Sequence, residues 1–192
     1  MPEIAIRPTC ESDLPMLMLL DHGGQTQAVW QIERTQEVRR QGGVLCLLRL
    51  PRPVRLEYPR SVAELPQRWT GYLLMLTALF QDQPVAYVAL RVRDDPAVLW
   101  VEELVTRSDV RRQGIATALL LACRSWALQN GRQVLALEIS ARNAPMMELA
   151  ERLGYRFSGY REGYLPNQES AVFFFHVRSE ERRVGKECRS RW

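Results

Sequence analysis

Two features of the sequence could support chemistry, and they lie close together in the chain. The first is the segment 111–116, RRQGIA, which precedes a long apolar helical stretch. The first N–H groups of a helix have no partner within the helix, and with the helix dipole they form a site for anions. Small residues let a ligand approach the backbone, and the two arginines add positive charge. The segment therefore predicts a pyrophosphate-binding turn, although a plain helix start with a tight turn would have the same pattern.

The second feature is a pair of adjacent carboxylates, Glu102 and Glu103, inside the apolar segment 98–106. Neighbouring residues of a strand point to opposite faces, so only one of the two would face a cleft. A carboxylate in that position can remove a proton from a nucleophile, directly or through water. The alternative is that both are solvated or paired with nearby arginines in a structural role.

The elements that must position these residues alternate between strands and helices. Apolar alternation and turn residues predict strands over 3–7, 29–35, 44–50, 72–80, 84–92, 98–106, 133–140 and 171–177. Helices are predicted from a cap at Thr9 to Leu20, over 61–69, over 112–130 and over 144–153. Gly42 and Gly43 are expected to form a turn, and Pro51, Pro53 and Pro59 a loop. This pattern predicts a mixed α/β sheet in one domain.

The charge distribution argues against nucleic acid as a partner. The 192-residue chain has a formal net charge of +4, of which residues 178–192 supply +3 and residues 1–177 only +1. A nearly neutral body lacks the basic face that nucleic-acid binding requires. The segment 178–192, RSEERRVGKECRSRW, has no apolar periodicity and resembles the conceptual translation of a sequencing-library adapter. We therefore expect a domain over 1–177 and a non-native, disordered tail over 178–192.

Cysteine usage and hydropathy set further expectations. Outside the tail the chain has three cysteines, Cys10, Cys46 and Cys123, with no CxxC spacing. An odd number without that spacing argues against a disulfide framework or a zinc site, so we expect no metal. The N-terminus lacks a signal-peptide pattern, and the longest apolar run is too short to cross a bilayer. We expect a cytoplasmic protein with no membrane partner.

Taken in order along the chain, these motifs resemble the GNAT superfamily of N-acetyltransferases. In that family an R/Q-x-x-G-x-G/A turn grips the pyrophosphate of coenzyme A, and Arg111, Gly114 and Ala116 match its three positions. The strand before the turn matches the one that pairs with the pantetheine arm. Asn143 opens a segment, 143–155, that resembles the second family signature. The resemblance covers residues 4–177 and implies a single GNAT-like domain, with a mostly antiparallel sheet flanked by helices.

The resemblance implies acetyl-CoA as co-substrate and gives a set of expected contacts. The residues expected to bind it are Leu104, Val105, Thr106, Arg111, Arg112, Gln113, Gly114, Ile115, Ala116, Thr117 and Asn143. The chain departs from the family at one place. Where the family often has a tyrosine that protonates the departing thiolate, seven residues after the asparagine, this sequence has Ala150.

The resemblance also directs the choice of catalytic and acceptor residues. Family members with a glutamate on this strand most often align it with Glu102, so we expect Glu102 first and Glu103 second as the base. Tyr160 and Tyr164 could replace the missing acid or line the acceptor pocket, and packing roles are equally compatible with their positions. Trp30 and Glu162 are the expected acceptor contacts, with core filling as the alternative for Trp30.

The expected reaction is transfer of acetyl to the primary amine of a small molecule, by direct attack on the thioester. A protein or peptide acceptor is the alternative within the same chemistry, and Ala150 keeps open a non-catalytic acyl-CoA sensor. Segments such as Trp30-Gln31 and Tyr164-Leu165-Pro166 resemble bacterial proteins related to streptothricin acetyltransferases. We expect a monomer or a homodimer.

Overall fold

Seven strands form one sheet, and the remaining two form a separate ribbon. The structure is a computed structural model that describes residues 3–37 and 40–177, with residues 34–37 and 40–42 described by their backbone alone. The strands of the sheet are β1 (Ala5–Pro8), β4 (Leu74–Phe80), β5 (Gln83–Val92), β6 (Val98–Thr106), β7 (Val134–Ser140), β8 (Arg156–Arg161) and β9 (Ala171–Val177). Their order is β1-β4-β5-β6-β7-β9-β8, and every neighbouring pair is antiparallel except β6 and β7.

Helices cover both faces of the sheet. The bounds are α1 (Leu14–Met18), α2 (Leu65–Trp69), α3 (Ile115–Gln129) and α4 (Ala144–Arg152). Apolar residues of α3 and α4 share the larger core with one face of the sheet, and those of α1 and α2 form the smaller core on the other face. The predicted single-domain α/β class, with a mostly antiparallel sheet flanked by helices, is confirmed.

Strand β5 shows how the sequence produces this arrangement. It is buried from Pro84 to Leu90, and its alternate residues divide between the two cores. Val88 and Leu90 face the larger core, while Tyr87 and Ala89 face the smaller one. A strand covered on both faces has to be apolar throughout, since alternate residues point to opposite sides. The exception is Tyr87, whose hydroxyl reaches a polar partner described below.

The sheet opens along the edge between β6 and β7. The two strands pair in parallel only from Val98–Val101 to Val134–Leu137. On its other side, β6 pairs with β5 through Val101 and then through Glu103, so Glu102 is the extra residue of a β-bulge. A bulge bends the strand and increases its twist, which directs β6 away from β7. The opening therefore lies next to the two carboxylates and ahead of the segment 111–116.

The ribbon is longer than the sequence predicted. It consists of β2 (Gly24–Glu37) and β3 (Arg40–Leu56), so the expected turn at Gly42-Gly43 is wrong because both glycines lie within β3. The loop expected at Pro51 and Pro53 is also placed inside β3. Thr26 pairs with Val54, and Ala28 pairs with Arg49, which leaves residues 50–53 as an irregular excursion opposite Gln27. Proline fits there because it has no N–H to donate to the ladder.

The N-terminal helix differs from its prediction in its start and length. A 3-10 turn over Glu11–Asp13 leads into α1, which ends at Met18. Thr9 is not the cap, since its hydroxyl lies 2.8 Å from that of Thr77 and joins the chain to β4. The N-cap residue of the turn is Cys10, whose backbone N–H donates to the Asp13 carboxylate at 3.0 Å. Asp13 also accepts two hydrogen bonds from the Arg7 guanidinium, at 2.7 and 2.8 Å.

Strand β8 and the C-terminal segment are the remaining parts of the chain to compare with their predictions. Strand β8 was not predicted, because its sequence, RFSGYR, has no apolar alternation and most of its residues are exposed. The predicted tail, 178–192, lies outside the residues that the structure describes. In the described part of the chain no helix has the length and hydropathy of a membrane span. The cytoplasmic location stays a prediction.

Replacing Asp13 by Asn should lower stability in a pH-dependent way. The hydrogen bonds from Arg7 lower the pKa of Asp13 from 3.8 to about 2. A depressed folded-state pKa stabilises the protein above the unfolded-state pKa, and the contribution is lost as the pH falls towards the folded value. We expect Asp13→Asn to cost about 1–2 kcal/mol at neutral pH, after allowance for the partly exposed Arg7.

The measurement is urea unfolding at several pH values. The difference between wild type and Asp13→Asn should shrink as the pH falls from 3.8 towards about 2. Glu11→Gln, an exposed change in the same turn, serves as the control and should have little effect. A difference that stays constant across this pH range would contradict the assigned ion pair.

Candidate functional site

A cleft of about 460 Å³ occupies the opening between β6 and β7. Its walls come from the start of α3, one face of α4, the loop before β2 and the end of β3 with the residues that follow it. The predicted residues that line it are Glu102, Glu103, Leu104, Val105, Thr106, Arg111, Arg112, Gly114, Ile115, Ala116, Thr117 and Asn143. Of the predicted set on α3 and its turn, only Gln113 lies outside this wall among the described residues, and it is exposed.

The start of α3 has the geometry of an anion site. Gly114 is the N-cap residue with φ of 85°, and Arg112 also has positive φ, at 63°. The Ala118 N–H donates to the Gly114 carbonyl at 3.0 Å, so the preceding amides of residues 115–117 lie before the first regular turn. These amides belong to residues on the cleft wall. Left-handed residues next to a helix start orient backbone N–H groups into a concave, electropositive surface.

Arg111 holds the cleft wall together through backbone carbonyls. Its guanidinium donates to the carbonyls of Thr106 at 2.8 Å, Asp21 at 2.6 Å and Gly23 at 2.7 Å. These bonds join the loop before β2 to the end of β6. The charge of Arg111 therefore contributes to the potential of the cleft, while its Nε and Nη2 donors are already engaged by the protein.

Asn143 caps α4 and also faces the cleft. Its Oδ1 accepts from the Met146 N–H at 3.2 Å, which satisfies one of the unpaired amides at the helix start. The amide nitrogen is a separate donor group and can bond to a ligand independently of the cap.

The structure explains why position 150 carries no acid. The cleft face of α4 consists of Pro145, Met146, Leu149 and Arg152. Ala150 lies on another face of the helix and is fully buried in the larger core. A tyrosine hydroxyl at this position would have to be accommodated within apolar packing.

Glu102 lies in a network of two carboxylates and three guanidinium groups at the point where the strands separate. Its carboxylate accepts from Arg93 at 3.1 Å and lies 3.7 Å from Arg91. Arg93 also donates to Glu138 at 2.7 Å, and Arg60 lies 3.6 Å from Glu138. The Glu102 carboxylate is thus already paired with two guanidinium groups of the protein. The role of Glu102 as the base stays a prediction.

Glu103 points to the opposite face, into the smaller core. Its side chain is fully buried and accepts hydrogen bonds from Arg68 at 2.8 Å, from Tyr87 at 2.7 Å and from Tyr72. Burial opposes ionisation of Glu103, but the tyrosine hydrogen bonds and the Arg68 charge outweigh it, so its pKa lies below the ordinary value. Glu103 is therefore a fixed negative charge behind the cleft wall.

Two cleft residues were missed by the sequence analysis. His22 places Nδ1 2.7 Å from the Leu20 carbonyl and Nε2 3.1 Å from the Tyr87 hydroxyl. The Tyr58 ring lies 4.9 Å from the His22 ring, and both residues line the cleft. No local motif connects these positions, because His22 and Tyr87 are 65 residues apart.

The predicted acid and acceptor residues lie away from the cleft wall. Tyr160 packs directly on the backbone of Gly43, and Tyr164 contacts Phe173 edge to face at 5.6 Å. Trp30 packs against the larger core, and its backbone N–H donates to the Ala141 carbonyl at 2.8 Å, which attaches the ribbon near the end of β7. Glu162 is exposed beyond β8. These positions favour packing roles for Trp30 and the two tyrosines, and the predicted roles stay untested.

Comparison with known proteins decides the family. The profile of the acetyltransferase (GNAT) family matches residues 44–155, more than half of the chain. The chain belongs to the GNAT acetyltransferase family. It is an acetyl-transfer enzyme, and its co-substrate is acetyl-CoA. At the level of sequence, no curated protein matches this GNAT enzyme.

Solved structures of known acetyltransferases share its fold. A nourseothricin acetyltransferase has a TM-score of 0.77 at 18% identity, covering 91% of this chain and 98% of that one. A putative streptothricin acetyltransferase from Bacillus anthracis, in complex with acetyl coenzyme A, has a TM-score of 0.72 at 16% identity, with coverage of 91% and 99%. The ribosomal-protein-S18-alanine N-acetyltransferase from Escherichia coli has a TM-score of 0.63 at 18% identity, with coverage of 91% and 94%.

The residues of this GNAT enzyme fit acetyl-CoA. The amides of residues 115–117 and the left-handed Gly114 would hold the pyrophosphate, and the opened edge of β6 over 104–106 would hold the pantetheine arm. When bound, acetyl-CoA supplies an acetyl group activated as a thioester. Among the described residues no three His, Cys, Asp or Glu side chains form a metal-binding group.

Gly114→Ala should weaken binding of coenzyme A. A Cβ at φ of 85° is strained, so the backbone next to the amides that would hold the phosphates would have to shift. Gly131 offers a matched control, since it has φ of 69° just beyond the other end of α3 with nothing within 4 Å of an added Cβ. Both alanine variants should lose about 1 kcal/mol of stability.

Affinity for coenzyme A, measured by calorimetry, should separate the two variants. We expect a loss of about tenfold or more for Gly114→Ala and no loss for Gly131→Ala. Equal affinities in the two variants would rule out the start of α3 as the phosphate site.

Proposed function

We propose that this enzyme transfers the acetyl group of acetyl-CoA to the primary amine of a small molecule, by direct attack of the amine on the thioester. The observation that carries the proposal is that several separate chain segments surround the cleft of about 460 Å³. A ligand of limited size fits such a site, whereas a folded protein substrate requires an open groove.

The walls are held in place by bonds between distant segments. Arg111 bonds to the carbonyls of Asp21 and Gly23, which fixes the loop before β2. Arg60 donates to the Glu102 carbonyl at 2.9 Å, which fixes the segment after β3 against β6. The third wall contains Leu165 and Glu169, and Glu169 accepts from Ser140 at 2.5 Å. These contacts support a preformed pocket that accepts a bounded ligand.

The names of the structural neighbours agree with this substrate class. The two neighbours with TM-scores of 0.77 and 0.72 are named for the small molecules nourseothricin and streptothricin. The neighbour named for a ribosomal protein has a TM-score of 0.63. At identities below a fifth these likenesses establish the fold, so the acceptor class rests on the shape of the cleft.

The charges around the cleft favour a mechanism in which the acceptor ammonium loses its proton before attack. The carboxylates of Glu102, Glu138 and Glu169 each have an arginine partner. These three carboxylates are therefore already engaged and are not free to hold a cation by attraction alone. An alkyl amine is mostly protonated at neutral pH, and only its neutral form has the lone pair that attacks the thioester. A proton acceptor near the cleft is thus the main requirement for turnover.

The test is an acceptor screen read by thiol release and by the mass gain of one acetyl group. The panel contains nourseothricin, an aminoglycoside, lysine, spermidine and peptides with a free α-amine. We expect at least one small amine to exceed every peptide in kcat/KM by about 100-fold. The Gly114→Ala variant should lose this activity at low acetyl-CoA concentration, and Gly131→Ala should keep it.

Two results would overturn the proposal. Preference for a peptide would assign the enzyme to polypeptide substrates. Saturable binding of acetyl-CoA with no thiol release for any amine would indicate a sensor without turnover.

A further inference from the structure

A chain of polar groups runs from the cleft wall into the smaller core. The Tyr58 hydroxyl is buried on the cleft wall and makes no hydrogen bond of normal geometry with the described residues. It is nevertheless close enough to the Glu103 carboxylate and the Tyr87 hydroxyl for both to influence its pKa. Tyr87 donates to Glu103 at 2.7 Å and lies 3.1 Å from His22 Nε2. His22 returns to the cleft wall.

The hydrogen-bonded groups of Tyr87, His22 and Glu103 can accept one additional proton. The Leu20 carbonyl can only accept, so His22 Nδ1 carries a proton, and in neutral imidazole Nε2 is then an acceptor. Tyr87 has one hydroxyl proton but lies between two acceptors, Nε2 of His22 and Oε2 of Glu103. Tyr87 can donate to only one of them at a time, so the other contact has no hydrogen between its two heavy atoms. Protonation of Nε2 fills both, since His22 then donates to Tyr87 and Tyr87 donates to Glu103.

We propose that Tyr58 and Tyr87 relay the proton lost by the acceptor ammonium to His22, and that Glu103 stabilises the resulting imidazolium. The proposal rests on acetyl transfer to an amine and does not depend on the acceptor being a small molecule. Tyr58 lines the cleft and turns its buried hydroxyl towards the acceptor when the acceptor binds. Tyr87 and His22 carry the proton onwards, and Glu103 is a positioning residue.

The relay balances in protons and charge. One N–H bond of the ammonium breaks as an O–H bond to Tyr58 forms. Tyr58 passes its own proton to Tyr87, and Tyr87 passes its proton to His22 Nε2. Tyr58 and Tyr87 end with the protonation that they had at the start, the amine gains a lone pair, and His22 gains one positive charge. The contact between Tyr58 and Tyr87 tightens when the acceptor binds, as catalytic hydrogen bonds commonly do.

The surroundings of His22 suit a temporary proton carrier. Burial lowers the pKa of His22, so the resting imidazole is neutral and able to accept. The charges of Glu103 and Asp21 favour the imidazolium, and the charge of Arg68 opposes it. The remaining neighbours, Tyr58 and Tyr87, stay protonated. Burial is the main cause that raises the pKa of each, followed by Glu103 for Tyr58 and by Tyr58 for Tyr87. His22 is only half-buried and can release the proton to water.

A matched pair of variants separates the relay from a structural role of the same cluster. Tyr72 and Tyr87 both donate to Glu103, but Tyr72 bonds to Oε1 and Tyr87 to Oε2. Only Tyr87 also contacts His22. Changing either tyrosine to Phe removes one hydroxyl donor from the same buried carboxylate, and only Tyr87→Phe interrupts the path.

The first experiment is an NMR titration of the imidazole groups in the whole protein. The sequence contains two histidines, so the His176→Gln variant assigns both resonances. Tyr87→Phe and Glu103→Gln should lower the pKa of His22 by about one unit, because they remove its hydrogen-bond partner or its counter-charge. Tyr72→Phe and Glu102→Gln should shift it by less than about half as much. Circular dichroism confirms that each variant is folded.

The second experiment compares two acceptors that differ in basicity, an alkyl amine and its β,β,β-trifluorinated analogue, which is mostly neutral at the assay pH. For the alkyl amine, Tyr58→Phe, Tyr87→Phe and His22→Asn should lower kcat by about 100-fold. For the fluorinated amine the loss should be below about fivefold, since no proton has to leave before attack. His176→Gln should match wild type with both amines.

Each arm can overturn the relay. An unchanged His22 pKa in both Tyr87→Phe and Glu103→Gln would show that the three groups are not coupled. Equal losses of kcat for the two amines would show that the cluster supports the fold without carrying a proton. A protein that acetylates no amine would contradict the proposed function, while the titration would still decide the coupling.

Discussion

The separation of β6 from β7 is the constraint on which the site depends. A strand inside a sheet normally pairs along both edges, and unpaired backbone groups away from water are costly. Here the pairing stops after Val101 and Leu137, and the bulge at Glu102 turns β6 away. Arg60 and Arg111 compensate by donating to the carbonyls of Glu102 and Thr106, at the two ends of the opened segment. The same contacts that stabilise the opening thus build the walls of the cleft.

Burying the polar cluster around Glu103 costs free energy of folding. A fully buried carboxylate loses its hydration, and Glu103 recovers this only through Arg68, Tyr72 and Tyr87. Apolar residues in place of the whole cluster would stabilise the smaller core at least as well, whereas replacing Glu103 alone would leave Arg68 without its counter-charge. The cluster is therefore better understood through the charge that it places behind the cleft than through its contribution to folding.

The bulge also places the two adjacent glutamates in different environments. Glu102, the extra residue, joins Arg91 and Arg93 at the opening. Glu103 re-enters the regular register opposite Ala89 and is directed into the smaller core. A regular strand would also have directed the two side chains to opposite faces. The bulge determines which of them lies at the opening and which contacts the tyrosines.

The sequence by itself determined the local features, and tertiary structure decided which groups meet. The start of α3 was predictable because glycine, small residues and a helical apolar pattern occur together in a few consecutive positions. The strands that bury both faces were predictable from their continuous apolar character, whereas β8 and the extended ribbon were not. His22, Tyr58, Tyr87 and Glu103 carry no shared local pattern. They meet only because α1, the end of β3, β5 and β6 pack around one small core, and such contacts between distant segments leave no periodic signal in a single sequence.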